Sequence, residues 1–169
     1  SDLFFDMGFP MSAGDGIEIS REKYEALEDA TALTSAIKKG AELIGFAQNT
    51  KKGLISKLIH RGFSKDISSR AADYLESVGY IDERMQAEQL FSELAERRLY
   101  GKSRIKNELY GKGFSEAAID ASMQVELDFD AICAERIERT VNISDFADKV
   151  KCRKTVASLM RYGFSVQNI

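Results

Sequence analysis

One short pattern recurs three times along this chain. It reads Leu58-x-x-x-Gly62-Phe63-Ser64, then Leu109-x-x-x-Gly113-Phe114-Ser115, then Leu159-x-x-x-Gly163-Phe164-Ser165, with the glycines 51 and then 50 residues apart. A fixed period of this length marks a repeated supersecondary unit. The residue types describe a helix-to-helix joint. Leucine ends an apolar stripe, and a glycine four positions later suits the left-handed conformation just past a helix end. Serine two positions on is a good cap for the next helix. The phenylalanine between them sits where a hydrophobic staple to the fourth residue of the new helix starts. Its partner is Ile119 in the second copy and Ile169 in the third. In the first copy that position is Ser68, with Ile67 one residue early.

The remaining punctuation agrees with helices throughout. The single proline, Pro10, leaves everything after it free of proline breaks. Ser20 can cap a long amphipathic helix carrying Tyr24, Leu27, Leu33, Ile37, Ala41 and Ile44, which Gly40 and Gly45 are expected to weaken or break. Thr50 opens a helix to about Arg61, and Ser64 one to Gly79. Asp82 caps a helix from Glu83 to about Leu99, with Gly101 as its terminator. Ser103 and Ser115 cap the next two. A third set starts near Asp128 with Ile132, Cys133, Arg136 and Ile137, and Ser144 caps a helix through Phe146, Val150, Val156 and Leu159.

The expected fold is therefore all-α: three tandem three-helix repeats in an elongated, curved array. Residues 1–19 are expected to form a mobile tail, with a weakly signalled strand at Ile17 and Ile19. Residues 20–49 lead into repeat 1, which continues over 50–81. Repeat 2 spans 82–127, and repeat 3 spans 128–169 and is cut short. Units this small bury little apolar surface alone, so stacking neighbours must supply the core, and such arrays present a long concave face to a partner.

Charge narrows the function. The chain has 169 residues, with 24 basic and 27 acidic, a net charge of −3. A stand-alone DNA binder usually carries a large positive surplus, so this balance argues against one. The charge is uneven: residues 1–40 sum to −4, residues 41–81 to +2, and the rest lie near neutral. No apolar run approaches the roughly 20 residues of a membrane helix. The two cysteines, Cys133 and Cys152, have no metal-ligand or CxxC spacing, which fits a reduced, cytoplasmic protein, with their pairing left open. His60 is the only histidine and has no second ligand nearby in sequence. No phosphate loop, HExxH or paired catalytic carboxylate occurs, so an enzyme is not expected, nor a cofactor or metal.

Two stretches resemble a known family. Gly79-Tyr80-Ile81-Asp82-Glu83-Arg84-Met85-Gln86-Ala87 is similar to the inter-repeat segment of the RecX regulatory proteins. Tyr100-Gly101-Lys102-Ser103-Arg104-Ile105-Lys106-Asn107-Glu108-Leu109, followed by Lys112-Gly113-Phe114-Ser115, resembles that family's middle repeat. The resemblance covers about residues 50 to 165. In the first repeat Gly53 is read at the position of Glu108, a departure from the family pattern. The resemblance implies a bacterial cytoplasmic modulator of the RecA recombinase, built as a crescent of three repeats. Such proteins bind the RecA filament on single-stranded DNA and inhibit strand exchange and ATP hydrolysis, within DNA repair and the SOS response.

The candidate partner-binding residues are the cations of each unit's second helix: Lys57 and Arg61; Lys102, Arg104, Lys106 and Lys112; Arg153, Lys154 and Arg161. Singly, each is explained by ordinary solvated charge. Together they form a basic stripe able to meet acidic groups of RecA or phosphates, with direct DNA contact as a weak addition. The protein is expected to act as a monomer. Tyr80, Tyr100, Tyr110 and Tyr162 sit at helix ends, either packed under loops or exposed as anchors. The competing readings are a stand-alone nucleic-acid binder and a helical scaffold for an unrelated partner.

Overall fold

The computed structural model describes residues 20–46, 49–142 and 147–169, and among these every regular element is helical. In chain order these are α1 (Arg21–Phe46), α2 (Lys51–His60), α3 (Lys65–Ser77), α4 (Glu83–Glu96), α5 (Lys102–Lys112), α6 (Glu116–Ser122), α7 (Phe129–Thr140) and α8 (Lys149–Arg161), followed by a 3-10 turn at Val166–Asn168. The expected tail, the strand at Ile17 and Ile19, and the cap at Ser144 with Phe146 lie outside the described residues.

The three recurring joints share one geometry. Gly62, Gly113 and Gly163 have φ of 95°, 84° and 90°. In each, the phenylalanine N–H donates to the carbonyl of the motif leucine at 3.3 Å, from Phe63 to Leu58, Phe114 to Leu109 and Phe164 to Leu159. That bond satisfies a carbonyl left open at the helix end, and it requires the left-handed residue that glycine supplies. Gly79, with φ of 80°, closes α3 the same way, through Tyr80 N–H to Leu75 O at 2.9 Å.

Caps follow the sequence in part. Thr50 Oγ1 accepts from Gly53 N–H at 3.1 Å, Ser64 Oγ from Ile67 N–H at 3.2 Å, and Asp82 Oδ1 from Met85 N–H at 2.9 Å. Ser115 stands at the N-cap of α6, but its side chain makes no capping bond. The cap of α8 is Asp148, whose carboxylate accepts from Val150 and Lys151. Of the three staples, Phe114 and Ile119 are both buried in one core, and Phe63 packs half-buried beside the core that holds Ile67. Phe164 is buried, whereas Ile169 stays exposed.

Two local expectations are corrected. α1 runs unbroken through Gly40 and Gly45. Each glycine costs about 1 kcal/mol against alanine, and the packing of α1 on α3 outweighs it. A Cβ at Gly40 would lie 2.6 Å from Leu75 Cδ1, so the missing side chain lets the two helices approach. Gly101 does not terminate α4, and Ser103 does not cap α5. Leu99 takes the left-handed turn, with φ of 52°, after Arg97 has closed α4. Gly101 is itself the extended N-cap of α5, and Ser103 lies inside that helix.

The apolar residues form two separate clusters. Ala36, Leu54, Leu58, Ile67, Ala71, Ala72, Leu75 and Ile81 make the core of α1–α3. A second core draws on α4 to α8 and holds Phe91, Leu99, Ile105, Leu109, Ile119, Phe129, Cys133, Leu159 and Phe164, among others. Phe91 and Phe129 meet edge-to-face with ring centroids 6.0 Å apart. Each fully buried large apolar side chain contributes about 1.5–3 kcal/mol.

Candidate functional site

The start of α2 docks on the joint between α5 and α6. Thr50 Oγ1 donates to Lys112 O at 3.2 Å, and the stem of Lys52 lies under Gly113. Glu83, the first residue of α4, is buried and bridges the two sides. Its Oε1 accepts from Lys51 N–H at 2.8 Å, and its Oε2 from Ser115 N–H at 3.0 Å. One carboxylate thus satisfies open donors at the starts of both α2 and α6, where partial positive charge favours an anion. Lys51 Nζ is held by Asp73 at 2.6 Å and Glu76 at 2.8 Å on α3. Its ammonium pKa is raised by hydrogen bonds to Asp73 and then Glu76.

This docking leaves a groove of about 610 Å³ beside it. Lys57 and Lys112 stand on its rim, Leu90 and Phe114 contribute apolar surface, and Gln86 and Glu93 project from α4. Two of the cations expected to meet a partner, 55 positions apart in the chain, therefore line one concavity. Lys57 Nζ donates to Asn49 Oδ1. Lys57 and Glu108 both stand five residues before their joint glycine, so they share a register, and Gly53 is level with Arg104. That corrects the placing of Gly53 at the glutamate position: the departure is a charge reversal. Arg61 is exposed just past the end of α2.

The middle set divides. Arg104 is half-buried, with its guanidinium carbon 4.2 Å from the Tyr100 ring centroid and 5.0 Å from that of Tyr162, and its Nε 3.8 Å from Glu108. It is a component of the joint between α5 and the end of α8. Lys102 Nζ lies 5.2 Å from the centroid of Phe129. Lys106 Nζ is 3.7 Å from Asp120 and 5.9 Å from the Tyr110 ring centroid. Only Lys112 of this set faces the groove.

Arg136, which the sequence pattern places only as a helical residue beside Ile132, Cys133 and Ile137, belongs to the same joint. It is buried on α7, with its guanidinium carbon 3.2 Å from the Tyr162 ring centroid, and it donates to Arg98 O at 3.1 Å and Leu99 O at 3.2 Å. Those carbonyls belong to the turn that Leu99 makes after α4. A planar multi-donor cation suits a site that stacks on a ring and bonds two carbonyls. The one available signal was an arginine at the helical spacing of Ile132 and Cys133.

The third set lies on α8. Arg153, Lys154 and Arg161 are exposed, and all five charged residues of the helix are basic, with no acid between Lys149 and Arg161. Val150 and Met160 are also exposed there, and Leu159 is the helix's one buried residue. It carries the largest positive charge of any helix among the described residues.

The other candidates resolve simply. His60 is exposed, its Nδ1 2.9 Å from Ser56 O. Tyr80 and Tyr110 are exposed, whereas Tyr100 and Tyr162 pack against each other with centroids 6.0 Å apart. Cys133 is buried and Cys152 half-buried, and both are free thiols. Burial, and secondarily Asp130, pushes the Cys133 thiol pKa up. Among the described residues no cluster of three or more His, Cys, Asp or Glu side chains could hold a metal. No helix there is long and apolar enough to cross a membrane.

Among the described residues the protein is all-α, its recurring motifs build joints, and its surface carries a groove lined by Lys57 and Lys112 and a helix, α8, whose charges are all basic. The chain is similar in sequence to RecX regulatory proteins. It is 29% identical over 142 residues to the regulatory protein RecX of Chlorobium phaeobacteroides, covering 84% of this chain and 91% of that one. It is 27% identical over 128 residues to the RecX of Clostridioides difficile, covering 76% of this chain and 59% of that one. No family model matches the chain. The fold is also that of solved RecX structures. One crystal structure of a regulatory protein RecX superposes with a TM-score of 0.76 at 17% identity, over 99% of this chain and 82% of that one. RecX from Lactobacillus salivarius gives 0.73 at 20% identity, over 82% and 92%.

Proposed function

We propose that this protein regulates the RecA recombinase by binding the RecA filament on single-stranded DNA and lowering its strand exchange and ATP hydrolysis. The observation that carries this reading is the sequence likeness to curated RecX regulatory proteins across most of the chain. The protein works by binding alone, as a monomer in the cytoplasm. Its three units, taken as residues 20–81, 82–127 and 128–169, offer several linked weak contacts, which favours a repeating filament over a free subunit. The contacts are assigned to the exposed cations Lys57, Arg61 and Lys112 around the groove, and Arg153, Lys154 and Arg161 at the far end. Lys102, Arg104 and Lys106 are given supporting roles, because each is engaged with a ring or a carboxylate within the protein.

The test is charge reversal on a preassembled filament. Lys57→Glu with Lys112→Glu, and separately Arg153→Glu with Lys154→Glu, should each weaken filament binding while leaving far-UV circular dichroism unchanged. Binding unaffected by both pairs would remove the basic surface from the mechanism. A second reading, direct nucleic-acid binding, is favoured by the all-basic charge of α8. Tight, steeply salt-dependent binding to naked single-stranded DNA, lost in the Arg153/Lys154 double variant and indifferent to RecA, would select it.

A further inference from the structure

The two docking joints of this molecule are built from different materials. Where α5 meets the end of α8, Gly101 N–H donates to Tyr162 O at 2.8 Å and Ser103 N–H to Gly163 O at 3.3 Å. A Cβ on Gly101 would fall 2.2 Å from the Gly163 carbonyl group, so two backbones touch with no side chain between them. The same joint holds the Arg104 and Arg136 stacks on Tyr162, and its two sides share one apolar core that runs from Ala87 to Phe164. Close-packed backbone and a common core leave little room for relative motion.

The joint between α2 and the α5–α6 turn has none of these features. Its two sides belong to different apolar clusters. The cross-joint bonds include the one that Glu83 accepts from Lys51 N–H and the one from Thr50 Oγ1 to Lys112 O, while the bond from Ser115 N–H anchors the Glu83 carboxylate within the body. A Cβ on Gly113, the counterpart of Gly163, would meet only the flexible stem of Lys52, at 3.2 Å from its Cδ. Helices α1, α2 and α3 pack on one another, as do α4, α5 and α6, while helix contacts between the two groups are sparse; α7 and α8 also make few helix-face contacts, but they join α4 to α6 through the shared apolar core and the backbone contact of Gly101 with Gly163, which the arm lacks. Hydrogen bonds of this kind exchange with water at small net cost, whereas separating a shared core exposes apolar surface.

From this contrast we infer that the molecule is a rigid body, α4 to α8, carrying a hinged arm, α1 to α3, with the Glu83 carboxylate as the clasp. The groove lies across this hinge: Asn49, Thr50 and Lys57 come from the arm side, and Gln86, Lys112 and Phe114 from the body. Its width follows the hinge angle. Whatever fills it favours one angle through differential affinity for the open and closed forms. The inference stands on packing alone and holds whatever the partner is.

The experiment uses the full chain with Cys152→Ser and two pairs of spin labels on exposed sites. One pair, Thr31→Cys with Glu138→Cys, spans arm and body; the other, Glu116→Cys with Glu138→Cys, lies within the body. Buried Cys133 is left in place and checked for labelling in the parent chain. Pulsed electron-spin distance measurements should give a broader arm–body distribution than body–body distribution. Glu83→Ala should broaden the first further and leave the second unchanged, with Glu83→Gln, which keeps one acceptor, between them. An arm–body distribution as narrow as the body–body one, before and after Glu83→Ala, overturns the hinge. Equal broadening of both pairs also overturns it, because Glu83 would then support the whole fold.

Discussion

Gly62 and Gly163 occupy the same position of the same motif with nearly the same backbone, φ of 95° and 90°, yet they should respond very differently to alanine. A left-handed alanine costs about 1 kcal/mol against glycine. At Gly62 nothing lies within 4 Å of the added Cβ, so the loss should stay near that value. At Gly163 the Cβ would lie 2.3 Å from Arg104 N, 2.7 Å from Arg104 Cβ and 2.8 Å from Gly101 O. Backbone atoms cannot turn aside as a side-chain end can, so an overpacking cost of about 1–3 kcal/mol adds to the conformational one. The joint between α5 and α8 would have to open, taking with it the bonds from Gly101 and Ser103. Urea unfolding followed by far-UV circular dichroism measures both variants. Gly163→Ala is expected to lose about 2–4 kcal/mol, and Gly62→Ala about 1 kcal/mol. Equal losses would refute the claim that the third joint is a backbone-to-backbone contact.

Other outcomes follow from the same geometry. Arg136→Ala should cost about 2–4 kcal/mol, because it removes two charge-assisted bonds and a ring stack and leaves the Arg98 and Leu99 carbonyls unmatched. Arg136→Lys should recover only part of that loss in the same urea assay, since an ammonium cannot stack and fork at once. Cys152 should react with iodoacetamide in the native protein well before Cys133, as mass spectrometry of timed samples will read. Cys133 is fully buried, and burial raises its thiol pKa, so it presents little thiolate. The sign for stability follows: the fold prefers the protonated thiol, so its contribution is complete below the ordinary thiol range and declines as pH rises through it. A Cys133→Ser variant should show a flatter decline between pH 8 and pH 10, about the range where a free thiol titrates.

The local grammar of this chain was legible because it is local. Leucine, glycine, phenylalanine and serine within seven positions determine one helix end and the next helix start, and all three copies adopt the same closure. The errors came where a partner far along the chain decides. Gly101 reads as a helix terminator from its neighbours, but its role is set by Gly163, 62 positions away. Gly40 reads as a weak point until Leu75 packs over it. Glu83 reads as an acid in a first helical turn, the commonplace complement to the helix dipole. In the fold it serves two other helix starts, at Lys51 and Ser115. The candidate surface was legible as composition and only partly as geometry. The sequence shows which residues are cationic; it does not show that Arg104 is committed to Tyr100 and Tyr162, or that Lys57 and Lys112 converge on one groove.

The central functional claim is best tested by binding to a preassembled RecA filament on single-stranded DNA, with free RecA and naked DNA as controls, while ATP hydrolysis is followed. The account predicts saturable binding that prefers the filament over either control, with hydrolysis falling as sites fill. Equal affinity for naked DNA with no change in hydrolysis, or no binding at micromolar protein, would contradict it.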